Sequence, residues 1–461
     1  MGDLAVRATQ IPGLLVVDLP VHGDNRGWFK ENWQRERMIA LGLPDFDPVQ
    51  NNISFNDKAG ATRGLHAEPW DKFVSVASGR IFGAWVDLRE GPSFGTSFTL
   101  EVGPKLAVFV PRGVGNGYQT LEDNTAYTYL VNDHWSREAR ERYTYLNLAD
   151  ETVGIPWPIP LSDTETSEAD RSHPRLADVK PARSRKTLVL GADGQVGRAL
   201  RALLPSAVFA SREGVSIDDA KSMDAWDWSG YDVIVNAAAY TQVDHAETPD
   251  GRATAWAVNA HAVSRLAAIA DRHRATLIHI STDYVFDGTR ERYVEGDPFA
   301  PLGVYGQSKA AGDIAAAGAT RHYVVRTSWV IGEGSNFVAT MRSLADRGIS
   351  PAVVNDQHGR LTFTSDLAGA IQHLVNVRAP YGTYNVTNSG PALTWYDVAR
   401  EVFRLSGRNP DDVVPVSTQE YSAGKQLAAR PPNGVLDLGK INAAGYPPDD
   451  AMRSLQKFLA R

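Results

Sequence analysis

Thr187-Leu-Val-Leu190 runs directly into Gly191-Ala-Asp-Gly194-Gln-Val-Gly197, and this stretch decides the fold of the longer part of the chain. The short apolar run reads as a buried strand, and Val196 to Leu204 reads as a helix. At such a strand-to-helix turn, residues without Cβ let the backbone turn tightly and approach a diphosphate held at the helix N-terminus. The flanking strand and helix are the context a glycine triplet needs before it points to a dinucleotide. Gly191, Gly194, Gln195, Val196 and Gly197 are therefore candidate cofactor-binding residues. Further on, Val233-Ile-Val235, Leu277-Ile-His-Ile280 and Tyr323-Val-Val-Arg326 read as strands, and residues 254–273 carry a helical period. This alternation predicts an α/β Rossmann domain with a doubly wound parallel sheet.

The second strand, Ala207-Val-Phe-Ala210, ends in Ser211-Arg212. An acidic residue there would suit ribose hydroxyls, whereas an arginine suits a 2′-phosphate. NADPH is the expected cofactor, NADH the alternative, and Ser211, Arg212 and Asp218 join the candidates. Tyr305-Gly-Gln-Ser-Lys309 sets a phenol and an ammonium four residues apart, on one face of a helix. A nearby ammonium is expected to lower the phenol's pKa and make Tyr305 a proton relay to a ketone oxygen. Thr282, just past a strand end, is placed to hold that oxygen, with Ser281 as the neighbouring possibility.

The glycine turn begins late in a chain of 461 residues, a length that suggests two to three domains. Residues from about 10 to 160 are β-rich. Phe73-Val-Ser-Val76, Ile81-Phe-Gly-Ala-Trp-Val86, Ser97-Phe-Thr-Leu100 and Ala107-Val-Phe-Val110 are short runs separated by Gly, Pro and Asp. This spacing predicts a sandwich or barrel, with one helix near Gln34–Leu41. Ser162-Asp-Thr-Glu-Thr-Ser-Glu-Ala-Asp-Arg-Ser-His-Pro has no apolar period, and residues 163–185 read as a linker between domains 1–162 and 186–461. A net charge of −7 gives no basic footprint, so nucleic acid is not an expected partner. The absence of cysteine removes disulfides and thiolate chemistry. No apolar run of about 18 residues suggests a membrane span, and the N-terminal residues lack a secretion-signal pattern, so the cytoplasm is the expectation.

Residues 186–461 resemble the extended short-chain dehydrogenases, and within them the dTDP-4-dehydrorhamnose reductases. The matching segments are Val235-Asn-Ala-Ala-Ala-Tyr-Thr-Gln-Val-Asp244, Ser281-Thr-Asp-Tyr-Val-Phe286, Val304-Tyr-Gly-Gln-Ser-Lys309, Arg326-Thr-Ser-Trp-Val330, Asn336-Phe337, Asn355-Asp-Gln-His-Gly359 and Arg430-Pro-Pro-Asn433. The resemblance implies a small substrate-binding subdomain. It also implies catalysis by Thr282, Tyr305 and Lys309, cofactor contacts from Ala237, Ala238 and Tyr240, and sugar-nucleotide contacts from Trp329, Asn336 and Arg430. Gly434 stands where the family has Ser. A non-catalytic group with the same fold, the regulatory subunits of methionine adenosyltransferase, is the binding-protein alternative.

In the N-terminal part, Asp24-Asn-Arg26-Gly27-Trp-Phe29-Lys-Glu31, Gln50-Asn-Asn52, Arg63-Gly-Leu-His66, Lys72, Pro111-Arg-Gly-Val-Gly-Asn116-Gly-Tyr118 and Tyr127-Thr-Tyr129 resemble the dTDP-4-dehydrorhamnose 3,5-epimerases. These are double-stranded β-helix (cupin, jelly-roll) proteins that work without metal. The resemblance implies His66 as the base at C3 and C5, Asp150 as the carboxylate orienting it, Lys72 as the enolate-stabilising cation and Tyr129 as the opposite-face acid. Arg26, Glu31, Gln50, Asn52 and Arg63 are implied to hold the nucleotide, and Trp135 to stack on the base. Asn116, a further substrate candidate, replaces a usual His, and Gly83 a usual Asp, which leaves inversion at both carbons, at one carbon, or a binding role as alternatives. No metal is expected, since His66 has no clustered ligands in the sequence. The substrate implied is a dTDP-4-dehydro-6-deoxyhexose, and the assembly a homodimer through the N-terminal half.

Overall fold

The computed structural model describes residues 3–135, 140, 142–182, 186–377 and 379–460. The chain divides into two compact units, Met1–Ser184 and Arg185–Arg461.

The N-terminal unit is built from two antiparallel sheets. One has six strands in the order Ala5–Ala8, Leu15–Asp18, Leu106–Val110, Lys72–Ser78, Thr125–Val131 and Gln50–Asn56. The other has five, in the order Thr144–Tyr145, Thr62–Ala67, Val114–Thr120, Ile81–Asp87 and Ser97–Val102. Val74, Val76 and Val108 from the first sheet share a buried cluster with Trp85, Val114 and Tyr118 from the second. The two sheets therefore pack face to face over a common core. The runs expected from the sequence as strands all lie in this arrangement, and the helix near residue 34 is Arg35–Ala40.

Two departures from the epimerase pattern have a packing explanation. A Cβ at Gly83 would lie 2.3 Å from Cη2 of Trp85, whose indole is fully buried. The space an aspartate would take is thus filled by an indole. Asn116 stands opposite His66 in strand register, but its side chain donates to the Tyr127 hydroxyl at 3.0 Å inside the barrel.

The stretch expected to be a linker is ordered over its described part, which corrects that reading. Leu161–Asp163 and Leu176–Asp178 form 3₁₀ turns, and Glu168–Arg171 is a one-turn helix capped by the Ser167 hydroxyl. Ala61 bridges to Glu165, and Arg89 to Ala182. Leu161, Leu176 and Val179 anchor the two ends of this strap in an apolar cluster, while caps and single bonds hold its polar middle, which is why that middle looks like a connector in composition. Residues 183–185 lie outside the described residues.

The C-terminal unit carries a six-stranded, wholly parallel sheet in the order Val208–Ala210, Lys186–Leu190, Tyr231–Asn236, Thr276–Thr282, His322–Thr327 and Gly382–Asn385. One face is covered by a cluster that includes Val263, Leu266 and Ala270 of the helix Ala262–His273. The other is covered by a cluster that includes Leu200 of Gln195–Leu203 and Leu367, Ile371 and Leu374 of Thr364–Asn376. Strand order reverses around Lys186–Leu190, so a crevice opens at its carboxyl end beside Tyr231–Asn236, where ligands of such sheets bind. A separate cluster joins the helices Phe337–Asp346, Trp395–Leu405 and Ala451–Leu459 into a smaller lobe. Among the described residues no helix is long and apolar enough to cross a membrane.

Restoring an aspartate at position 83 tests the packing account. Gly83→Asp should lower the stability of the N-terminal unit by about 1–3 kcal/mol through overpacking, read from denaturant unfolding. Unchanged stability would show that Trp85 does not depend on the glycine.

Candidate active sites

His66 lies on the strand Thr62–Ala67, and its Nε2 is 2.7 Å from Oδ1 of Asp170. Asp170 belongs to the capped turn of the strap and its side chain is only 8% exposed. Burial alone would raise its carboxyl. The hydrogen bonds from His66 and Ser167 outweigh that and hold it below the usual carboxylate range. Asp170 is therefore the ionised partner that orients the imidazole.

This corrects the expectation for Asp150, which accepts from the backbone N–H groups of Val153, at 2.9 Å, and Leu176, at 2.7 Å. Asp150 ties the strap together and has no bond to His66. Sequence reading missed Asp170; the Ser167-x-x-Asp170 capping pattern was its only local sign.

A cavity of about 760 Å³ opens beside His66, with Arg63, Tyr129, Trp135, Asp170 and His173 among its walls. His66 and Tyr129 come from different sheets, so an imidazole and a phenol face the same cavity. Burial raises the Tyr129 hydroxyl above its ordinary value, which keeps it protonated and able to donate. Lys72 is buried against the Glu68 carboxylate, and its ammonium sits 5.6 Å from the centre of the Tyr129 ring. Burial brings Lys72 down to about 7. The ring of Tyr145 stacks on His173 at 4.6 Å and meets His66 edge-on at 5.5 Å.

Several expected nucleotide contacts stand elsewhere. Arg26 pairs with Asp24 at 2.5 Å on an exposed hairpin, and Glu31 pairs with Arg37 at 2.8 Å. Gln50 donates to Asn52 at 2.8 Å, and Asn52 stands opposite Tyr129 in register. None of these four, nor Asn116, lines the cavity.

The view that His66 has no clustered ligands is also corrected. Ligand atoms of His66, Asp170 and His173 all lie within 4.8 Å of one another. The imidazole–carboxylate hydrogen bond accounts for two of the three without an ion.

In the C-terminal unit, Gly191 has φ +76°, and a Cβ there would lie 2.6 Å from the backbone nitrogen of Ala238. A Cβ at Gly197 would lie 2.4 Å from the Gly191 carbonyl oxygen. These glycines let the turn, Ala237 and Ala238 close on one another at the mouth of the crevice. The helix Gln195–Leu203 starts at Gly194 with no side-chain cap, so its first N–H groups are open to an anion. The buried Gln195 Oε1 beside it has no partner. Arg212 pairs with Asp218 at 2.8 Å, and Asp218 also accepts from Ser216 at 2.6 Å. This sets a guanidinium, 78% exposed, just past the end of Val208–Ala210.

Thr282 closes the strand Thr276–Thr282. Its hydroxyl donates to Asp283 at 3.0 Å and accepts from the Tyr284 N–H at 3.2 Å. Ser281 points to the other face of the strand, as alternation requires. Tyr305 opens the helix Val304–Ala317 and packs edge-on against Tyr284 at 5.7 Å.

The expected lowering of the Tyr305 pKa is not what this site produces. Burial raises the hydroxyl well above its ordinary value, with a hydrogen bond to Thr282 opposing the rise. The Lys309 ammonium donates instead to the Ile280 carbonyl at 2.6 Å. Burial also raises Asp283 to about 7. A Cβ at Gly434 would lie 2.1 Å from the Asp283 carboxylate, so the glycine at this family serine position makes room for that group.

A five-residue π-helical turn, Ala257–His261, presents Asn259. Its amide accepts from the Tyr240 N–H and donates to the Ser308 hydroxyl. Trp329 stacks on Trp395 at 3.7 Å. Arg430 pairs with Asp244 at 2.9 Å. Asn336, expected near the sugar nucleotide, caps the helix Phe337–Asp346 by accepting from Ala339 at 2.9 Å and donates to Gly332 at 2.7 Å, so both ends of its amide are used in the fold.

Together these sites define an isomerase-type module joined to a reductase-type module. Residues 8–178 match the model of the dTDP-4-dehydrorhamnose 3,5-epimerases, and residues 185–461 match that of the RmlD substrate binding domain. The chain is 51% identical over 177 residues to a Streptococcus pyogenes protein named "Protein RmlC homolog", covering 37% of this chain and 89% of that one. It is 38% identical over 298 residues to the dTDP-4-dehydrorhamnose reductase of Aggregatibacter actinomycetemcomitans, covering 60% of this chain and 98% of that one. A crystal structure of the Bacillus anthracis dTDP-4-dehydrorhamnose reductase in complex with NADP aligns over 60% of this chain and 99% of that one, at 31% identity and a TM-score of 0.56. The chain belongs to the dTDP-4-dehydrorhamnose 3,5-epimerase family in its first part and to the RmlD family in its second.

Asp170 and Asp150 separate by experiment. Asp170→Asn should slow base-catalysed proton exchange about 10²- to 10⁴-fold. Asp150→Asn should leave exchange within about threefold while costing about 1 kcal/mol of stability. The reverse pattern, read by deuterium incorporation and unfolding, would restore Asp150 as the partner of His66.

Proposed function

We propose that this chain carries out two consecutive steps of dTDP-L-rhamnose formation, 3,5-epimerisation of dTDP-4-dehydro-6-deoxy-D-glucose and reduction of the C4 ketone. The observation that carries this reading is the pairing, on one chain, of the His66–Asp170 base facing Tyr129 with the Thr282–Tyr305–Lys309 group at a glycine-lined crevice.

In the epimerase half, the C4 ketone acidifies the protons at C3 and C5. His66 removes such a proton, and Asp170 stabilises the imidazolium that results. Tyr129 returns a proton from the other face, which inverts the carbon. Lys72, paired with Glu68 and set beside the Tyr129 ring, supplies positive charge toward the enolate oxygen. Arg63 and Trp135 offer a guanidinium for the diphosphate and an indole for the base.

In the reductase half, the uncapped helix start, the glycine turn and the unpartnered Gln195 oxygen fit a dinucleotide diphosphate, and Arg212 fits a 2′-phosphate, so NADPH is favoured over NADH. The nicotinamide supplies a hydride to C4. Thr282 holds the ketone oxygen and Tyr305 gives it a proton; the raised affinity of the Tyr305 hydroxyl for its proton suits a group that must arrive protonated. Trp329 and Arg430 are the proposed sugar-nucleotide contacts in the smaller lobe.

The topologies support a cupin-type barrel followed by a Rossmann domain, with the boundary after the strap rather than before it. Trp28, Phe29, Ile53 and Phe55 are large and exposed on the hairpin and edge strand of the first unit, which supports a homodimer there. Arg26 and Glu31 would then complete a site with help from the second copy. A reducing, cytoplasmic setting is the proposed location.

With dTDP-4-dehydro-6-deoxyglucose and NADPH, the wild-type chain should form dTDP-L-rhamnose. Tyr305→Phe should abolish NADPH oxidation and leave proton exchange intact, whereas His66→Asn should stop exchange. Loss of both activities in Tyr305→Phe would contradict two separate sites. Arg212→Ala should raise KM for NADPH about tenfold or more and leave KM for NADH nearly unchanged; an equal rise for both would remove Arg212 from the 2′-phosphate.

A further inference from the structure

Lys309 is 1% exposed, and one of its partners has no role in the mechanism above. Its Nζ donates to the Ile280 carbonyl and lies 3.2 Å from Nε2 of His279, which is also 1% exposed. The other ring nitrogen, Nδ1, is 3.2 Å from the amide nitrogen of Asn236. Asn236 and His279 stand side by side in the register of adjacent parallel strands. The helix that carries Lys309 passes close over this pair because of Gly312. A Cβ there would lie 3.2 Å from His279 Nε2 and 2.1 Å from the Asn259 carbonyl oxygen. The chain thus brings an amide, an imidazole and an amine into one buried row.

The surrounding charges keep the imidazole neutral. Burial first, and the Lys309 ammonium second, hold His279 well below its ordinary range. The other nearby charges are Asp313 and Arg326, a buried pair at 2.8 Å, and Asp313 also favours the charged form of Lys309, against the effect of burial. A neutral imidazole has one N–H and one lone pair, and the hydrogen bond at one nitrogen sets the role of the other. With the Asn236 amide nitrogen facing Nδ1, as observed, Nε2 carries the proton and can donate to an uncharged Lys309 amine. With the amide turned over, which gives up the 3.3 Å bond its oxygen accepts from the Ala238 N–H, that oxygen accepts from Nδ1–H, and Nε2 accepts from a Lys309 ammonium. The row can therefore satisfy Lys309 in both charge states. That is useful for a buried amine that burial brings to about 8, because an unmatched buried polar group is costly.

We propose that His279, held by Asn236, is a positioning residue for reduction that keeps Lys309 hydrogen-bonded and in place in both of its charge states. The role rests on the reading of residues 186–461 as a reductase. His279 touches neither the ketone nor the hydride.

Three variants test it in the full-length chain. His279→Leu offers neither donor nor acceptor. His279→Gln offers both, at about the reach of Nε2. His279→Asn offers both but stops short of Nζ. In His279→Leu and His279→Asn, kcat for reduction of the epimerised ketone should fall about 10- to 100-fold, since small misplacements of a catalytic group have effects of that size. KM for NADPH should stay within about threefold. Burial brings Lys309 to about 8 in the wild type. A charged group loses more than a neutral one when a hydrogen bond is removed, so the alkaline limb of kcat should move to lower pH in these two variants. His279→Gln should recover most of kcat and the wild-type limb. Deuterium exchange by the N-terminal half, read on the same samples, shows that the chain is intact. Unchanged kcat and pH profile in His279→Leu, or equal losses in Leu, Asn and Gln, would overturn the proposal and leave His279 as packing. A wild-type chain unable to reduce the ketone would instead overturn the reductase reading on which the proposal rests.

Discussion

The 2.7 Å bond between His66 and Asp170 is the contact on which the cavity of the first unit depends. A carboxylate taken out of water must be matched by a donor, and here the donor is the His66 imidazole. The bond fixes the imidazole and also anchors the strap of residues 161–178, which supplies Asp170 and His173 to the cavity wall. Without it the two sheets would keep their shared core, since Val74, Trp85 and Val108 pack independently of the strap. The cavity would lose one side. Fold and reactivity thus meet in one pair of side chains that lie far apart in sequence.

The second unit solves a similar problem with a different group. Lys309 is buried on a helix, and the strand beneath it supplies the Ile280 carbonyl and the His279 ring. Thr282 closes that same strand, so its hydroxyl and the groups that hold the lysine share one rigid element. Around them, Gly191 and Gly197 open the crevice by letting backbone approach backbone. Tyr305 gains its properties from burial more than from the lysine, a balance that only the packed structure displays.

Much of this was legible in the sequence where the signal is periodic or local. The β–α alternation, the strand before Gly191, the helical spacing of Tyr305 and Lys309, and Thr282 at a strand end all appear as expected from apolar runs and turns. What escaped depends on contacts between distant segments. The polar run from Ser162 to Pro174 lacks an apolar face because caps and one imidazole–carboxylate bond hold it, so it looked like a connector and Asp150 was taken for Asp170. Asn336, which the resemblance implies lies near the sugar nucleotide, also caps a helix, a role visible only once the helix start is placed. Gly83 looked like a lost contact until the Trp85 indole was seen in the space.

The central claim is that one chain inverts a sugar-nucleotide ketone and then reduces the same molecule. It is tested most directly by running the complete reaction in D₂O with protiated NADPH and reading the isolated product by NMR and mass spectrometry. The account predicts dTDP-L-rhamnose with deuterium at C3 and C5 and protium at C4 in the same molecule. A reduced sugar with protium at C3 and C5, showing that the ketone reached the reductase without passing through His66 and Tyr129, would contradict it.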